Sequence, residues 1–412
     1  MPVLQIEACV DFREGCAMML RKLLWGLCLG CLSFLSLQDV GGEEPLFIYK
    51  SGTSYGFINA MGHVVIDAQY VGVKEFQEGL AAVNVNDDMS LGQWGYIDPL
   101  GNMVIEPQYW LASSFSEGLA AVLPTGGVNW SYIDATGKVL ISRLTEKKPF
   151  IYGAQPFKNG VACVEAAKDR TAFKRTEGFQ SKKRTGQKGM WGFVDALGRV
   201  IALDFDHAMS FVDGLAVVEK DGKIGYVTPD GVFAIVPQFE KASSFSEGLA
   251  CVQIKNKYGY INTSGKFVIE PIYDLGGSFS EGFARVKTKG KYGFVDATGN
   301  MVIAPVYDRA LGFSEGFAVV VQNGKYGHLD RSGKMLADQV FDFAQDFSEG
   351  LAAVKVGDKW GYVDEMGNMV IEPQFDLIAS FHEGLARVGW GRSWADAKWG
   401  YVDRMGKLVY RE

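Results

Sequence analysis

The chain has 412 residues, of which 48% are hydrophobic and 13% aromatic, which allows a large folded core and excludes a disordered chain. Its formal net charge of −7 is modest for this length, so the chain as a whole lacks the electrostatic signature of a protein that binds nucleic acid or anionic membranes. A content of 51 glycines against 12 prolines indicates many turns with positive φ, and therefore many short strands.

Residues 1–42 differ from the rest of the chain. An uncharged apolar run from Leu23 to Leu37 follows the basic pair Arg21 and Lys22 and precedes a polar stretch. The run is shorter than the ~20 residues of a membrane span and is typical of a secretory signal. We therefore expect an exported protein, located in the periplasm, on the cell surface or outside the cell. The alternative is an uncleaved N-terminal membrane segment or a lipid anchor.

Residues 47–410 contain three repeated phrases. The first, aromatic-Gly-aromatic-aliphatic-Asp followed by another Gly, occurs ten times, beginning at Tyr55, Trp94, Trp130, Trp191, Ile224, Tyr258, Tyr292, Tyr326, Trp360 and Trp399. The second, Phe-x-acid-Gly, begins at Phe76, Phe115, Phe157, Phe211, Phe245, Phe279, Phe313, Phe347 and Phe381. The third, Val-Ile-x-Pro-x-aromatic, lies between them. From Gly225 to Gly361 the period is 34 residues, which predicts a tandem-repeat protein.

Each unit is predicted to contain three short antiparallel strands. Alternating residues on both sides of an Asp-x-x-Gly turn are typical of a hairpin. Proline removes a hydrogen-bond donor from the ladder, so Pro271, Pro305 and Pro373 are predicted to end the second strand. The Phe-x-acid-Gly phrase then supplies a turn and the third strand.

The phrases resemble those of the WG-repeat, or KWG-repeat, proteins of bacteria. The segment KWGYVDEMGNMVIEPQF, which begins at Lys359, is similar to a consensus unit of that family. The resemblance covers residues 47–410 and departs from the pattern at Ser131 and Ile224. It implies an all-β repeat array, commonly found in secreted or surface proteins, with no reaction assigned to the repeat.

The predicted fold is all-β, with about ten three-stranded antiparallel repeats of ~34 residues in an open, curved β-solenoid. A unit of this size cannot bury a core alone, so the recurring Phe is predicted to pack between neighbouring units. A closed, β-propeller-like ring is the alternative, although propellers usually have about four to eight four-stranded blades.

Insertions occur at one corner of the unit, between the Glu-Gly turn and the next aromatic-Gly pair. They follow Gly79, Gly118, Gly160 and Gly384. Equivalent corners of a stacked array lie along one face, which is where a binding surface is expected.

The largest insertion, residues 165–188, contains eight Lys or Arg and three acidic residues. It is either a solvated loop without a specific role or a contact for an anionic partner. The candidate binding residues in it are Lys174, Arg175, Lys182, Lys183 and Arg184.

The insertion after Gly384 brings two tryptophans and an arginine together. Trp390, Arg392 and Trp394 are candidate binding residues, because exposed aromatic rings stack on sugars or anchor protein partners. The alternative is that they pack the end of the last unit.

The sequence offers little evidence for catalysis. Ser54 lies in a Gly-x-Ser-x-Gly segment but precedes a strand, where a nucleophile elbow would join a strand to a helix. The recurring Asp and Glu residues are explained as turn caps, and single carboxylates do not supply the several ligands that Ca²⁺ requires. Cys163 and Cys251 occupy the same repeat position in units separated by another unit, which predicts free, buried thiols.

We therefore expect a monomeric, non-enzymatic scaffold without cofactor or metal, which binds a protein or a glycan at the cell envelope through its insertion-bearing face. Nucleic acid is not an expected partner, because the chain contains no recognised nucleic-acid module. A structural spacer is the alternative. A remote alternative is an unrecognised hydrolase, which requires a pocket that gathers His207 with Asp204 or Asp206.

Overall fold

A computed structural model describes residues 44–86, 92–127, 129–142, 150–167, 190–336, 341–394 and 396–412. These residues form 37 β-strands in nine antiparallel sheets and contain no helix. Nowhere in these ranges is there a helix that could span a membrane.

The first three sheets contain strands β1 to β14. The first sheet has the order β1-β2-β3, the second runs from β10 to β4, and the third has the order β11-β12-β13-β14. The strands are β1 (Leu46–Ser51), β2 (Ser54–Asn59), β3 (Val64–Tyr70), β4 (Gly72–Val73), β5 (Ala81–Asn84), β6 (Trp94–Ile97), β7 (Met103–Ala112), β8 (Ala120–Pro124), β9 (Ser131–Ile133), β10 (Val139–Ile141), β11 (Phe150–Ala154), β12 (Val161–Ala167), β13 (Met190–Asp195) and β14 (Val200–Phe205).

The remaining six sheets contain three or four strands each, in sequence order. The fourth to sixth sheets comprise β15 (His207–Ala208), β16 (Ala216–Lys220), β17 (Lys223–Val227), β18 (Phe233–Phe239), β19 (Lys241–Ala242), β20 (Leu249–Ile254), β21 (Lys257–Asn262), β22 (Phe267–Tyr273), β23 (Leu275–Ser280), β24 (Phe283–Thr288), β25 (Lys291–Asp296) and β26 (Met301–Tyr307). The seventh to ninth comprise β27 (Arg309–Ser314), β28 (Phe317–Gln322), β29 (Lys325–Asp330), β30 (Phe343–Ser348), β31 (Leu351–Val356), β32 (Lys359–Asp364), β33 (Met369–Phe375), β34 (Leu377–Ile378), β35 (Leu385–Trp390), β36 (Lys398–Asp403) and β37 (Leu408–Arg411).

Two kinds of turn recur in the sheets, an Asp-x-x-Gly hairpin turn and a Glu-Gly turn. In the hairpin between β32 and β33, Oδ1 of Asp364 accepts hydrogen bonds from the N–H groups of Met366 and Asn368, at 2.9 and 2.7 Å. In the Glu-Gly turn before β31, Glu349 and Gly350 have φ values of 54° and 75°. Two successive positive φ values are those of the two-residue hairpin turns that match strand twist, which explains the conserved spacing within the repeat.

The strand with the third phrase does not end at its proline, contrary to the prediction from the sequence. Strand β33 runs from Met369 to Phe375 through Pro373, and its register with β32 shifts between Trp360 and Tyr362. At this bulge the backbone of β33 approaches Gly361 so closely that a Cβ there would lie 2.3 Å from the carbonyl oxygen of Ile371. A bulge accommodates the missing donor of a proline, so the glycine of the Trp-Gly pair and the proline belong to one feature.

Most sheets contain a fourth strand that the three-stranded prediction omits. In the fourth, fifth and ninth sheets it is only two residues long, as in β34 (Leu377–Ile378), which pairs with β35. It begins two residues after the aromatic residue of the third phrase. The N–H groups of the flanking residues also bond to the next strand of the same sheet, as from Ala379 to the carbonyl of Arg387 at 2.9 Å.

The recurring phenylalanine packs between neighbouring repeats, as the sequence predicts. In each case its ring meets the third residue of an aromatic-Gly-aromatic phrase in the preceding repeat. The ring centroids lie 4.8 to 5.1 Å apart in the pairs Phe57–Phe76, Tyr96–Phe115, Tyr132–Phe157, Phe193–Phe211, Tyr226–Phe245, Tyr260–Phe279, Phe294–Phe313, His328–Phe347 and Tyr362–Phe381. The core is therefore a series of similar layers.

The first and last sheets are in contact. Tyr401 of β36 packs on Phe47 of β1 with ring centroids 5.7 Å apart, and its hydroxyl donates a hydrogen bond of 2.8 Å to the carbonyl of Ile48. Gly62 lies against Val409, as Gly101 lies against Ile66 between consecutive repeats. The contacts that join neighbouring repeats thus recur between the two ends of the array.

A substitution explains how the first sheet makes this contact. Nine repeats have alanine at the second position of the strand after the Glu-Gly turn, namely Ala81, Ala120, Ala162, Ala216, Ala250, Ala284, Ala318, Ala352 and Ala386. The first repeat has Phe47 there, and its buried ring supplies the contact that the recurring phenylalanine makes elsewhere.

The all-β tandem array predicted from the sequence is confirmed. None of the described sheets closes on itself, which agrees with a solenoid-like series of separate sheets. The contact between the two ends is the feature expected of the ring-like alternative.

Candidate binding surface

The four insertions lie at equivalent corners of their repeats. Each connects two paired strands, and the last register pairs before the insertions are Asn84↔Trp94, Val122↔Ser131, Ala166↔Met190 and Trp390↔Lys398. We call the edge that carries these four connections the corner surface. Its position follows from the register of the sheets, as the lengths of the repeats predict.

An ion pair and a backbone hydrogen bond anchor the corner in regular repeats. Asp342 accepts hydrogen bonds from Nζ of Lys325 at 2.6 Å and from the N–H of Gly357 at 2.7 Å. The hydrogen bond from Lys325, supported by that from Gly357, lowers the pKa of the Asp342 carboxyl. Equivalent ion pairs are Lys257–Asp274, Lys291–Asp308 and Lys359–Asp376.

The basic insertion is held at its two ends by the third sheet. Strand β12 continues through Ala167, three residues into the predicted loop of residues 165–188, and β13 begins at Met190. The candidate residues Lys174, Arg175, Lys182, Lys183 and Arg184 lie outside the described residues.

The insertion in the last sheet exposes one tryptophan on top of another. Trp394 is 59% exposed, and its ring centroid lies 4.5 Å from that of buried Trp399 at an interplanar angle of 35°. The guanidinium carbon of Arg387 lies 4.1 Å from the centroid of Trp399. The exposed ring therefore rests on a buried ring that is itself packed against a cation.

A tight turn holds the exposed ring in place. Oδ1 of Asp396 accepts hydrogen bonds from the N–H and the hydroxyl of Ser393, at 2.7 and 2.5 Å. The N–H of Gly391, where the insertion begins, donates to Asp376 at 2.9 Å. The inserted segment thus begins at the anchor that regular repeats use, and Trp394 projects from it.

The other two candidate residues of this insertion have different environments. Trp390 is half-buried, with its ring 5.6 Å from Phe375 and the guanidinium of Arg411 4.4 Å from its centroid. Arg392 is exposed, and its charge contributes to the lowered pKa of Asp396, whose main cause is the hydrogen bond from Ser393. Packing of the last unit accounts for Trp390 but not for Trp394.

The sequence did not reveal that the recurring glutamates connect repeats. Oε1 and Oε2 of Glu315 accept hydrogen bonds from the N–H groups of Glu349 and Gly350 in the following Glu-Gly turn, both at 2.7 Å. Glu78, Glu117, Glu247, Glu281 and Glu349 make the same type of contact. We call this series of glutamate contacts from one Glu-Gly turn to the next the carboxylate ladder. A local turn cap and the carboxylate ladder require the same residue at the same position, so the sequence pattern alone does not distinguish the two roles.

The residues considered for catalysis are engaged in separate contacts. The carboxylate of Asp204 pairs with Lys220 at 2.6 Å, and Asp206 accepts a hydrogen bond from the N–H of Asp221 at 2.7 Å. His207 packs against Trp191 with ring centroids 4.8 Å apart at an interplanar angle of 43°. Within the described ranges, no group of three or more His, Cys, Asp or Glu residues has a geometry that could hold a metal ion.

Both cysteines of the repeat array are free and buried, as predicted. Burial raises the pKa of each thiol to about 12. His328, which replaces the usual aromatic residue of its phrase, is also buried and bonds through Nε2 to the carbonyl of Gln345 at 2.9 Å. Burial lowers its pKa, which favours a neutral, structural imidazole.

Comparison with known families identifies the repeat. The model described as "WG containing repeat" matches residues 55–87, 94–123, 191–223, 224–258, 258–292, 292–326, 327–360 and 360–389. These eight matches cover more than half of the chain. The unmatched units include the third, which carries Ser131, and the last, which carries Trp394. No curated protein matches the chain.

Two solved structures illustrate the similarity of the fold. A crystal structure of the eukaryotic initiation factor covers 90% of this chain and 96% of its own, with a TM-score of 0.51 and 10% identity. The virginiamycin B lyase from Staphylococcus aureus covers 49% of this chain and 81% of its own, with a TM-score of 0.30 and 15% identity. The first similarity concerns the fold alone, and the second is too low to support an argument.

Proposed function

Because the chain belongs to the family of WG-containing repeat proteins, we propose that it is a non-enzymatic scaffold that binds a protein or glycan partner at the cell envelope through its corner surface. The observation that carries this proposal is the placement of all four insertions at equivalent corners. Apart from the third unit, which is also longer between its aromatic-Gly position and its Glu-Gly turn, length varies where it leaves the sheets intact, which is typical of a surface that carries recognition.

Trp394 gives this surface a defined contact point. Trp394 is 59% exposed, so a partner that covers its ring would bind more favourably. The turn around Trp394 and its contact with Trp399 already hold the ring in place in the free protein. A preorganised aromatic ring loses little conformational entropy on binding, so it suits the centre of an interface.

The proposed envelope partner is supported by the N-terminal sequence. The basic pair before the apolar run Leu23–Leu37 is typical of a secretory signal, and an exported protein meets surface proteins and polysaccharides. We therefore propose that the protein is located in the periplasm, on the cell surface or outside the cell.

The test is retention of partners from solubilised envelope by the full-length chain on a solid support. Three variants accompany it: Trp394→Ala, a deletion of residues 168–188, and Leu100→Ala as a control. Leu100 is 79% exposed in an Asp-x-x-Gly hairpin turn, away from the corner surface. Bound proteins are identified by mass spectrometry and bound glycans by sugar analysis.

We expect the parent chain and Leu100→Ala to retain the same partner, and at least one corner variant to lose most of it. Loss of an interface aromatic typically costs about 2 kcal/mol or more, which is roughly thirtyfold in affinity. Equal retention by all four chains would contradict the proposal and favour the structural spacer.

A further inference from the structure

The most exposed large apolar side chains among the described residues share one position in the repeat. Each stands directly before the glycine of an Asp-x-x-Gly or Asn-x-x-Gly turn. They are Met61, Leu100, Leu197, Met366 and Met405, which are 62%, 79%, 76%, 74% and 81% exposed. Exposed apolar side chains that lie close together mark a surface that contacts a partner or a membrane.

The turn itself does not require an apolar side chain at this position. In four other repeats a Ser or Thr hydroxyl there donates a hydrogen bond to the first residue of the turn, as Ser332 does to Asp330 at 2.6 Å. Methionine lacks such a donor, and its side chain stays exposed in these turns. The fold therefore gives no reason for the exposed methionines.

The contact between the two ends of the array makes three of these turns consecutive. Met366 and Met405 belong to the last two repeats, and Met61 belongs to the first. The glycine after Met405 lies against Ile371 of the ninth repeat, and the glycine after Met61 lies against Val409 of the last repeat. We call Met366, Met405 and Met61 the methionine arc.

The methionine arc and the corner surface lie at opposite ends of the same strands. In the last sheet, Leu385 pairs with Asp403, where the turn of Met405 begins. At the other end of these two strands, Trp390 pairs with Lys398, where the corner insertion ends. A surface bound to the arc would therefore leave the corner surface accessible.

The described chain enters the first sheet at the end that carries the arc. Leu46 pairs with Asn59, the first residue of the turn that holds Met61. Six residues separate the apolar run Leu23–Leu37 from Glu44 in the sequence. A connection of that length spans at most about 25 Å, so a membrane that held the apolar run would lie within reach of the arc.

We propose that the methionine arc docks on the surface of a lipid bilayer and inserts its three side chains among the lipids. This inference goes beyond the proposed function, because it concerns the end of the strands opposite the corner surface. The three side chains project from separate turns, whereas the centre of a protein interface is a close-packed patch. A fluid lipid surface accommodates separate apolar groups, and the flexible methionine side chain adapts to it.

Docking of the arc should depend on apolar insertion and not on charge. The guanidinium of Arg404, beside Met405, lies next to the Glu-Gly turn of Glu349 and Gly350. The glutamates of the carboxylate ladder thus lie at the same end of the strands as the arc. Anionic lipids attract basic segments, so they should give the arc no advantage over zwitterionic lipids.

The test measures the oxidation of individual methionines by hydrogen peroxide in the full-length protein, with and without phosphatidylcholine vesicles. Peptide mass spectrometry gives a rate for each methionine, so the three residues of the arc report on themselves. Met209 is the internal control, because it is 44% exposed and lies beside β16 in the fourth sheet.

Two variants accompany the parent chain. Met405→Ser removes the middle side chain of the arc and introduces the residue that Ser332 supplies at this position in another repeat. Val236→Ser is the matched control, because Val236 is 61% exposed on β18 and lies outside the turns. Folding of both variants is verified by their thermal unfolding temperature.

We expect vesicles to slow the oxidation of Met61, Met366 and Met405 at least about threefold and to leave Met209 unchanged. Met405→Ser should remove most of the protection of Met61 and Met366, because the loss of one inserted side chain lowers a partition equilibrium about tenfold. Val236→Ser should retain the protection.

Equal oxidation rates of the arc with and without vesicles would overturn the inference. Equal slowing of Met209 would also overturn it, because it would indicate general coverage of the protein. Slow oxidation of the arc without vesicles that depends on protein concentration would show that a second copy of the chain covers it in place of lipid. Protection only on vesicles that contain phosphatidylglycerol would show electrostatic binding and likewise contradict insertion.

Discussion

The glycine of each Trp-Gly pair is required by the strand beside it and not by its own backbone conformation. In the ninth repeat a Cβ at Gly361 would lie 2.3 Å from the carbonyl oxygen of Ile371 and 2.8 Å from the nitrogen of Pro373. Both atoms belong to the backbone, so rotation of a side chain does not relieve the collision.

Gly361→Ala should therefore lower the free energy of unfolding by about 1–3 kcal/mol, as overpacking typically does. Gly312→Ala is a suitable control, because a Cβ there would have its nearest described neighbour at 3.9 Å. Urea unfolding followed by tryptophan fluorescence measures both changes. Similar effects of the two substitutions would contradict the steric explanation.

The aspartates of the corners and of the Asp-x-x-Gly turns should make stability depend on acid. The hydrogen bond from Lys325 lowers the pKa of Asp342, and the hydroxyl of Thr298, with three further hydrogen bonds, lowers that of Asp296 to about 2. A carboxyl whose pKa is lower in the folded state stabilises the protein above its unfolded pKa of about 4, and this contribution is lost as pH falls through the folded value.

The thermal unfolding temperature should consequently fall as pH is lowered from about 4 to 2. Asp342→Asn should reduce the unfolding temperature at pH 6 and flatten its decline below pH 4. Scanning calorimetry across this range provides the measurement. A variant whose unfolding temperature falls in parallel with that of the parent chain would show that Asp342 does not contribute.

The carboxylate ladder connects one Glu-Gly turn with the next. Glu315 accepts two backbone hydrogen bonds from the following repeat, whereas Glu383 stands at the same position in the last repeat and accepts none from the described residues. Comparing substitutions at Glu315 and Glu383 therefore separates the effect of the carboxylate ladder on stability from that of the turn itself.

Glu315→Ala should destabilise the protein by about 1–3 kcal/mol, because two N–H groups lose a charged acceptor. Glu383→Ala should change stability by only a few tenths, since it removes the same side chain from an equivalent turn. Chemical unfolding of both variants tests the ladder, and a loss for Glu383→Ala as large as for Glu315→Ala would argue against it.

The recurring phenylalanine joins two sheets. Phe347 is 2% exposed and packs on His328 of the preceding repeat, whereas Phe343 of the same strand is 42% exposed. Phe347→Ala should cost about 3–5 kcal/mol, as truncation of a buried aromatic ring typically does. Phe343→Ala should cost less than half as much in the same unfolding experiment. The reverse order would place the core on the other face of β30.

Most of the sheets could be predicted from the sequence, because local signals specify them. The Asp-x-x-Gly hairpin, the Glu-Gly turn and the alternating strands each lie within one repeat. The short fourth strand was missed because two residues such as Leu377 and Ile378 carry no periodic pattern, and their pairing depends on the strand that follows. The path of the chain through Pro373 was missed because the bulge requires the approach of Gly361 from another strand.

The candidate surface was predicted in its position but not in its detail. Counting the residues between phrases located the corner, because the strands on either side of each insertion pair in the same way in the different repeats. The roles of Trp390 and Trp394 were not separable by sequence, because they have the same residue type and lie four positions apart. Only the tertiary structure shows that Phe375 and Arg411 cover the first, while the second remains exposed.

At the scale of the whole molecule, contact between the ends couples residues far apart in sequence. Phe47 and Tyr401 belong to the first and last sheets, and their ring centroids are 5.7 Å apart. Repeat sequences specify only contacts between neighbouring repeats. The sequence therefore did not decide whether the two ends of the array meet. Phe47 in place of the usual alanine was the available signal.

A double-mutant cycle on Phe47→Ala and Tyr401→Ala should therefore show a coupling energy of about 0.5–1.5 kcal/mol, because each change removes one ring of the pair. In an array whose ends are apart, the two changes would be additive. Phe47→Ala combined with Tyr362→Ala serves as the control, because Tyr362 packs on Phe381 in another layer. Additivity of the first pair in urea unfolding would show that the ends do not meet in solution.

The anchors at the corners have a consequence for how such a protein can change over evolutionary time. Because Asp376 binds Gly391 at the start of an insertion, and Trp390 and Lys398 pair on either side of it, the ends of the connection are fixed whatever its length. Doubling the length of a flexible loop between fixed ends costs only about 0.6 kcal/mol. New recognition segments can therefore be acquired, lengthened or exchanged at a corner while the neighbouring layers stay as they are, and the same sites are suited to the grafting of foreign loops.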